Sequence, residues 1–261
     1  MGRALIGGLL RSGTLPAQLS VGESEPAARA AVARDFAVSA TEDNRAAISG
    51  ASMVVLAVKP QDAASVLQPL AAALSATRPL LISVAAGVRV ASLESWCGAG
   101  VPVMRAMPNR PARIGAGATG VFAPSSVASE QRAAAARVLQ SLGEVFWVHA
   151  EELLDVVTAL SGSGPAYFFL LAELMAEAGA QLGLESDLAR RLAAATLYGS
   201  GLLARSGDGD LARLRHEVTS TGGTTEAALR TLEAADLRAT VRAAMSAATQ
   251  RGRELAAVRA S

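Results

Sequence analysis

Near the carboxyl end runs Val218-Thr219-Ser220-Thr221-Gly222-Gly223-Thr224-Thr225-Glu226, followed directly by a helix-forming Ala/Leu stretch. Paired glycines let backbone approach a ligand closely. The N–H groups left open at a helix start attract a carboxylate. Ser220, Gly222, Gly223, Thr224 and Thr225 therefore read as an anion-holding loop with hydroxyls aimed into it. The same residue types also build ordinary N-caps, so the loop reads either way on its own.

The elements that must position such a loop fall into two kinds. Up to about residue 150, strand and helix patterns alternate. Residues 19–22, 53–58, 80–84, 101–105, 114–122 and 144–148 read as strands, and 26–36, 61–74 and 127–142 as helices. The 53–58 run is continuously apolar, as in a parallel strand buried on both faces. The alternation predicts an α/β fold with a doubly wound, Rossmann-like sheet. After residue 150 every segment has helical spacing: 152–160, 165–182, 187–206, 211–217, 225–234 and 237–258. We therefore expect a dinucleotide-binding domain over 1–150 and an all-α domain over 151–261. Phe168, Phe169, Leu170, Leu171, Leu174 and Met175 spread apolar surface around most of one helix. Such a helix is either the centre of its domain or a subunit interface.

Doubly wound sheets bind nucleotides outside the carboxyl ends of their strands. That rule points to Ala57-Val58-Lys59-Pro60, where Pro60 stops a strand and Lys59 reaches cofactor ribose or phosphate, or is simply solvated. It points also to Ala85-Ala86-Gly87, small enough for close approach or for a tight turn. The end of the 19–22 strand should meet the adenosine ribose, and Glu23 and Ser24 stand there, with no nearby Arg ahead of Arg29. An acid at that point holds ribose hydroxyls and repels a 2′-phosphate. It could equally be an exposed acid at a helix start.

Composition removes several classes of function. Net charge is +1 and aromatics are 3% of residues, so there is neither the positive field nor the stacking surface of a nucleic-acid binder. Cys97 is alone, and His149 and His216 are the only histidines, so no metal site is expected. No membrane partner is expected either, because the apolar stretch around 167–175 is interrupted by Glu173 and followed by Glu177. Residues 1–11 superficially look like a signal peptide, but Arg11 follows a short apolar segment, so they read as a helix of a cytoplasmic protein.

The 218–229 stretch resembles the signature of the pyrroline-5-carboxylate reductases, which make L-proline from its cyclic imine. Three more motifs match in order: Ala57-Val58-Lys59-Pro60-Gln61, Val103-Met104-Arg105-Ala106-Met107-Pro108-Asn109 and Leu160-Ser161-Gly162-Ser163-Gly164-Pro165-Ala166-Tyr167. Thr221 stands where the family usually has Pro, and Ala228 where it usually has Gly. The resemblance implies reduction of 1-pyrroline-5-carboxylate by NADPH or NADH. It implies that the Thr225 hydroxyl is catalytic, hydrogen-bonding the imine nitrogen, while Ser220 shapes the loop. It implies that Gly2, Ser24, Asn44, Ala57, Val58, Lys59, Pro60, Ala85, Gly87 and Asn109 line the cofactor. By their own types, Asn44 and Asn109 are equally turn residues or caps. The resemblance also implies a homodimer formed through the helical domain, with higher multiples open. Family habit favours NADPH, whereas Glu23 favours NADH.

The family begins with a buried strand and a Gly-x-Gly-x-x-Gly turn, of which only the last glycine, Gly2, is present here. The first strand of the sheet is therefore expected to be absent, and the chain as written is expected to bind cofactor more weakly than a version extended upstream. Two alternatives stand beside the reductase. One is a related imine reductase or hydroxyacid dehydrogenase, against which the stretch 113–261 holds no Lys for the usual catalytic position. The other is a non-catalytic, truncated nucleotide-binding homologue.

Overall fold

The computed structural model describes residues 1–207 and 209–258. The chain begins with helix α1 (Gly2–Arg11), then β1 (Ser20–Gly22), α2 (Pro26–Phe36), β2 (Ser39–Thr41) and α3 (Asn44–Ile48). Next come β3 (Met53–Leu56), α4 (Ala63–Leu67), α5 (Ala71–Thr77), β4 (Leu80–Ser83), α6 (Val90–Cys97), β5 (Val103–Met107), β6 (Gly117–Phe122), α7 (Ser129–Gln140) and β7 (Gly143–Trp147). The remainder is helical: α8 (Leu153–Val157), a π-helical turn Thr158–Gly162, α9 (Gly164–Gln181), α10 (Ser186–Ser206), α11 (Leu211–Glu217), α12 (Thr224–Ala234) and α13 (Leu237–Val258). The predicted 61–74 helix is broken into α4, a 3₁₀ turn and α5. Pro69 explains the break, since it offers no N–H and crowds the preceding turn.

Strand β4 explains the layers. Successive strand side chains leave opposite faces. Leu80 and Ile82 join Leu5, Met104, Leu139 and Leu142 in one core, while Leu81 joins Leu56, Leu67, Leu74, Leu93 and Val103 in the other. Helices thus cover both faces, as the apolar strand runs predict. Cys97 lies in the second core, where burial pushes its thiol up to about 11 and keeps it protonated.

The strands form two sheets. β1 pairs with β2 in parallel, and five further strands run in the order β3-β4-β5-β6-β7. β1 and β3 each pair on one side only, so the sheet carries the expected break. Helix α1 bridges it. Its Leu5 enters the five-stranded sheet's core, and its neighbour Ile6 packs with Val32 and Val38 over the small sheet. The sheet is not parallel throughout, because β6 runs antiparallel to β5. The link between them is one 3₁₀ turn, Arg110–Ile114, and is too short for the dozen or more residues a parallel crossover needs.

By packing, the chain divides into two units: Met1–Ser163 together with Ala248–Ser261, and Gly164–Ala247. In the first unit, α8 and the π-turn stay with the sheet: a Cβ on Gly120 of β6 would overlap the Val157 side chain. In the second unit, α9 and α10 pack through Ala176, Ala189 and Ala193, with Ala172 and Ala180 against them.

The continuous helical stretch Leu153–Gln181, with mean hydropathy 1.3, is long and apolar enough to cross a membrane by length and composition alone. The reason is structural: α8, the π-turn and α9 follow one another without a break, so their apolar residues count together.

Candidate active site

Helix α1 starts at Gly2 with no side chain capping it and no acid in its first turn, leaving its first N–H groups for an anion. Gly2 lies against the end of β3: a Cβ built on it would sit 3.6 Å from the Ala57 Cβ. Ala57 and Lys59 are exposed, Val58 and Pro60 half-buried, and Pro60 opens a 3₁₀ turn. This corner fits a dinucleotide pyrophosphate, with backbone donors on one side and a lysine within the same turn. After β4, the Ala85 N–H donates to the Ser83 Oγ at 3.3 Å, and Gly87 takes a left-handed φ of 75°.

At the end of β1 the chain turns through Glu23 and Ser24 into α2. Asn44 begins α3 beside it, and a Cβ on Gly22 would overlap the Asn44 Oδ1. Asn44 therefore stands over the carboxyl end of β1. The cap of α3 is its neighbour Asp43, whose carboxylate accepts the Arg45 N–H at 2.8 Å.

Asn109 is tied into the fold on both sides of its amide. It is 9% exposed; its Oδ1 accepts the Ala118 N–H at 2.9 Å and its Nδ2 donates to the Ser161 carbonyl at 3.0 Å. It ties the end of β5 to the start of β6 and to the π-turn, and little of it remains for a cofactor.

The hydroxyl loop lies in the second unit. Gly222 has a left-handed φ of 72°, which glycine adopts without strain. Its N–H donates to Glu226 Oε2 at 2.6 Å, and the Gly223 N–H donates to the Ser220 carbonyl at 3.0 Å. A Cβ on Gly223 would overlap Ser220 Oγ. Both glycines therefore close the loop and do not offer their own N–H groups to a ligand. Thr224 and Thr225 stand in the first turn of α12, whose N-cap Gly223 makes no side-chain cap bond, and no hydrogen bond occupies the half-buried Thr225 hydroxyl among the described residues. Sequence reasoning missed Glu226. Its place three residues after the Gly223 N-cap is the signal, since an acid there reaches back to close the preceding turn.

A second group was also missed. Arg105 on β5 donates to Glu151 at 2.7 Å, Glu151 accepts the Val90 N–H at 2.8 Å, and Arg89 donates to Asp155 at 2.6 Å. The Arg105 side chain is 5% exposed and that of Asp155 4%. Burial lowers the Arg105 pKa, while the Glu151 carboxylate acts against that shift. The network fastens the segment after β7 to the sheet and to the start of α6.

A family model described as pyrroline-5-carboxylate reductase dimerisation matches residues 151–255, and one described as NADP oxidoreductase, coenzyme F420-dependent, matches residues 1–87. The chain is 44% identical to the pyrroline-5-carboxylate reductase of Pseudomonas aeruginosa over 256 residues, which is 98% of this chain and 93% of that protein. It is 38% identical to the solved pyrroline-5-carboxylate reductase of Coxiella burnetii, with a TM-score of 0.94 over 97% of this chain and 94% of that one. It is 28% identical to the Plasmodium falciparum pyrroline carboxylate reductase solved with NADP bound, with a TM-score of 0.82 over 98% of this chain and 94% of that one. With its two-sided sheet, its closed hydroxyl loop and relatives matching along nearly its whole length, the chain belongs to the pyrroline-5-carboxylate reductase family.

Proposed function

We propose that this chain reduces 1-pyrroline-5-carboxylate to L-proline with NAD(P)H, the last step of proline biosynthesis. The observation that carries this reading is the loop before α12. It is held shut from within by Ser220 and Glu226, yet among the described residues the Thr225 hydroxyl has no hydrogen-bond partner. A bound nicotinamide supplies the hydride. The protein's task is to orient a cyclic imine and to hold its carboxylate and ring nitrogen. The Thr224 and Thr225 N–H groups suit the carboxylate, and a protonated imine N–H donates to the Thr225 hydroxyl oxygen. No strong base is required, which agrees with a chain whose two histidines lie far apart in sequence. Residues 1–150 carry the cofactor, through Gly2, Asn44 and the Ala57–Pro60 turn, and 151–261 carry substrate and the dimer contact. The working form is a cytoplasmic homodimer or a multiple of it, without nucleic-acid or membrane partners.

Purified protein should oxidise NADPH or NADH in the presence of the imine and yield proline. If neither nicotinamide is consumed, the reductase reading is wrong. Thr225→Ala should then lower kcat tens-fold or so, since one transition-state hydrogen bond contributes on the order of 1–3 kcal/mol. Thr225→Ser should recover most of that rate. Wild-type kinetics in a folded Thr225→Ala protein would remove Thr225 from the mechanism.

A further inference from the structure

We propose that Arg29 is the side chain that selects the 2′-phosphate of NADPH in this protein. The inference rests on the cofactor placement above and adds the residue that decides between the two nicotinamides. In a dinucleotide fold, the end of the strand after the first helix meets the adenosine ribose. An acid there, about twenty residues beyond the last glycine, selects NAD, and a nearby Arg accommodates the extra phosphate of NADP. By spacing that acid is Glu23, and in the sequence the next Arg after it is Arg29, six residues on.

The structure reverses those two roles. The Glu23 carboxylate is turned forward and accepts the Glu25 N–H at 3.0 Å, where it steadies the entry to α2. Arg29, one turn into α2, comes back over the strand end. Its Nη1 donates to the Glu23 carbonyl at 2.8 Å and to the Ser24 carbonyl at 3.2 Å. The guanidinium is thus pinned through one nitrogen at the very turn where the ribose is expected. Among the described residues its Nη2 reaches only Glu42, at 3.3 Å, and the Glu42 side chain is 76% exposed. A surface pair of that kind is worth little and is readily displaced. A planar fork anchored on one nitrogen and open on another suits bidentate capture of a phosphate, and the exposed Ser24 lies beside it.

The other charges at this turn sharpen the expectation. Glu23, Glu25, Glu42 and Asp43 all lie on the flanking segments, with Glu25 capping α2 and Asp43 capping α3. Arg45 also stands on α3, but it donates to the Pro69 carbonyl. Arg29 is therefore the cation that faces the ribose position, and without it a 2′-phosphate would meet carboxylates alone.

Two fragments test this on the full chain without any hydride transfer: 2′,5′-ADP, which carries the phosphate, and 5′-AMP, which lacks it. Calorimetric titration should show wild-type protein preferring 2′,5′-ADP by roughly ten- to a hundred-fold, the size of a charge-assisted hydrogen bond. Arg29→Met should abolish the preference and leave 5′-AMP affinity unchanged, which also reports that the turn is intact. Arg29→Lys, with charge but no fork, should keep part of it. Glu42→Gln should strengthen 2′,5′-ADP binding by removing the competitor. Equal wild-type affinity for the two fragments, a preference that survives in Arg29→Met, or no binding of either would overturn the proposal. Loss of the reductase reading would look different: the fragment preference would persist while the imine was left unreduced.

Discussion

Glu151→Ala should destabilise the protein by about 3–5 kcal/mol, the cost of breaking a buried ion pair from one side. The Glu151 carboxylate serves two buried donors at once, the Arg105 guanidinium at 2.7 Å and the Val90 N–H at 2.8 Å. Removing it strands a guanidinium that is 5% exposed and opens the first turn of α6. Arg89, close enough to lower the Arg105 pKa, would then repel it with Asp155 alone to balance the two. Chemical unfolding at fixed protein concentration is the measurement, because association shifts apparent stability. The double variant Arg105→Met with Glu151→Met should recover most of the loss, since a well-packed apolar pair replaces an ion pair at little cost. A loss below about 1 kcal/mol in Glu151→Ala, the scale of an exposed pair, would show that this network is solvated and of minor weight.

Much of the fold was legible because its signals are local. The 53–58 and 80–84 runs gave both the strands and their burial, and the apolar faces of the later helices gave the all-α region. What escaped depends on partners distant in the chain. β2 is three residues long with no apolar alternation, and it forms because Ser39 to Thr41 align with Ser20 to Gly22. The antiparallel turn of β6 follows from the length of one connection rather than from any pattern within the strand. The hydroxyl loop was recognisable from its residue types, but the use of its donors was not. Gly222 and Gly223 look like ligand donors until Glu226 and Ser220 are seen to occupy them. Asn109 is a similar case, since its two partners lie at Ala118 and Ser161. Arg29 follows Glu23 by six residues, and its long side chain in the first turn of α2 reaches back over the strand end before it.

The other large effect concerns assembly. Within the second unit the residues packed between α9 and α10 are alanines, while the large apolar residues face outward. Phe168 and Phe169 are 59% and 58% exposed, and Leu170 and Leu174 are 55% and 51% exposed. At 100° per residue, Leu170 and Leu174 lie on the side of α9 opposite the Ala172–Ala176–Ala180 line. Burying each such side chain is worth about 1.5–3 kcal/mol, so a monomer would leave the larger share of this unit's apolar surface in water. Small residues inside and large ones outside make sense if a second copy covers the outer face, as the dimerisation match over 151–255 supports. Wild-type protein should therefore sediment as a dimer or a multiple of one across a dilution series. Leu170→Asp with Leu174→Asp places two charges on each copy at that face, and burying them unpaired is prohibitive. The double variant should lose the dimer, and its helical signal should melt at a lower temperature, because α9 and α10 would keep only their alanine contacts. A wild-type monomer, or a double variant that sediments and melts like the wild type, would mean that this face is not where the copies meet.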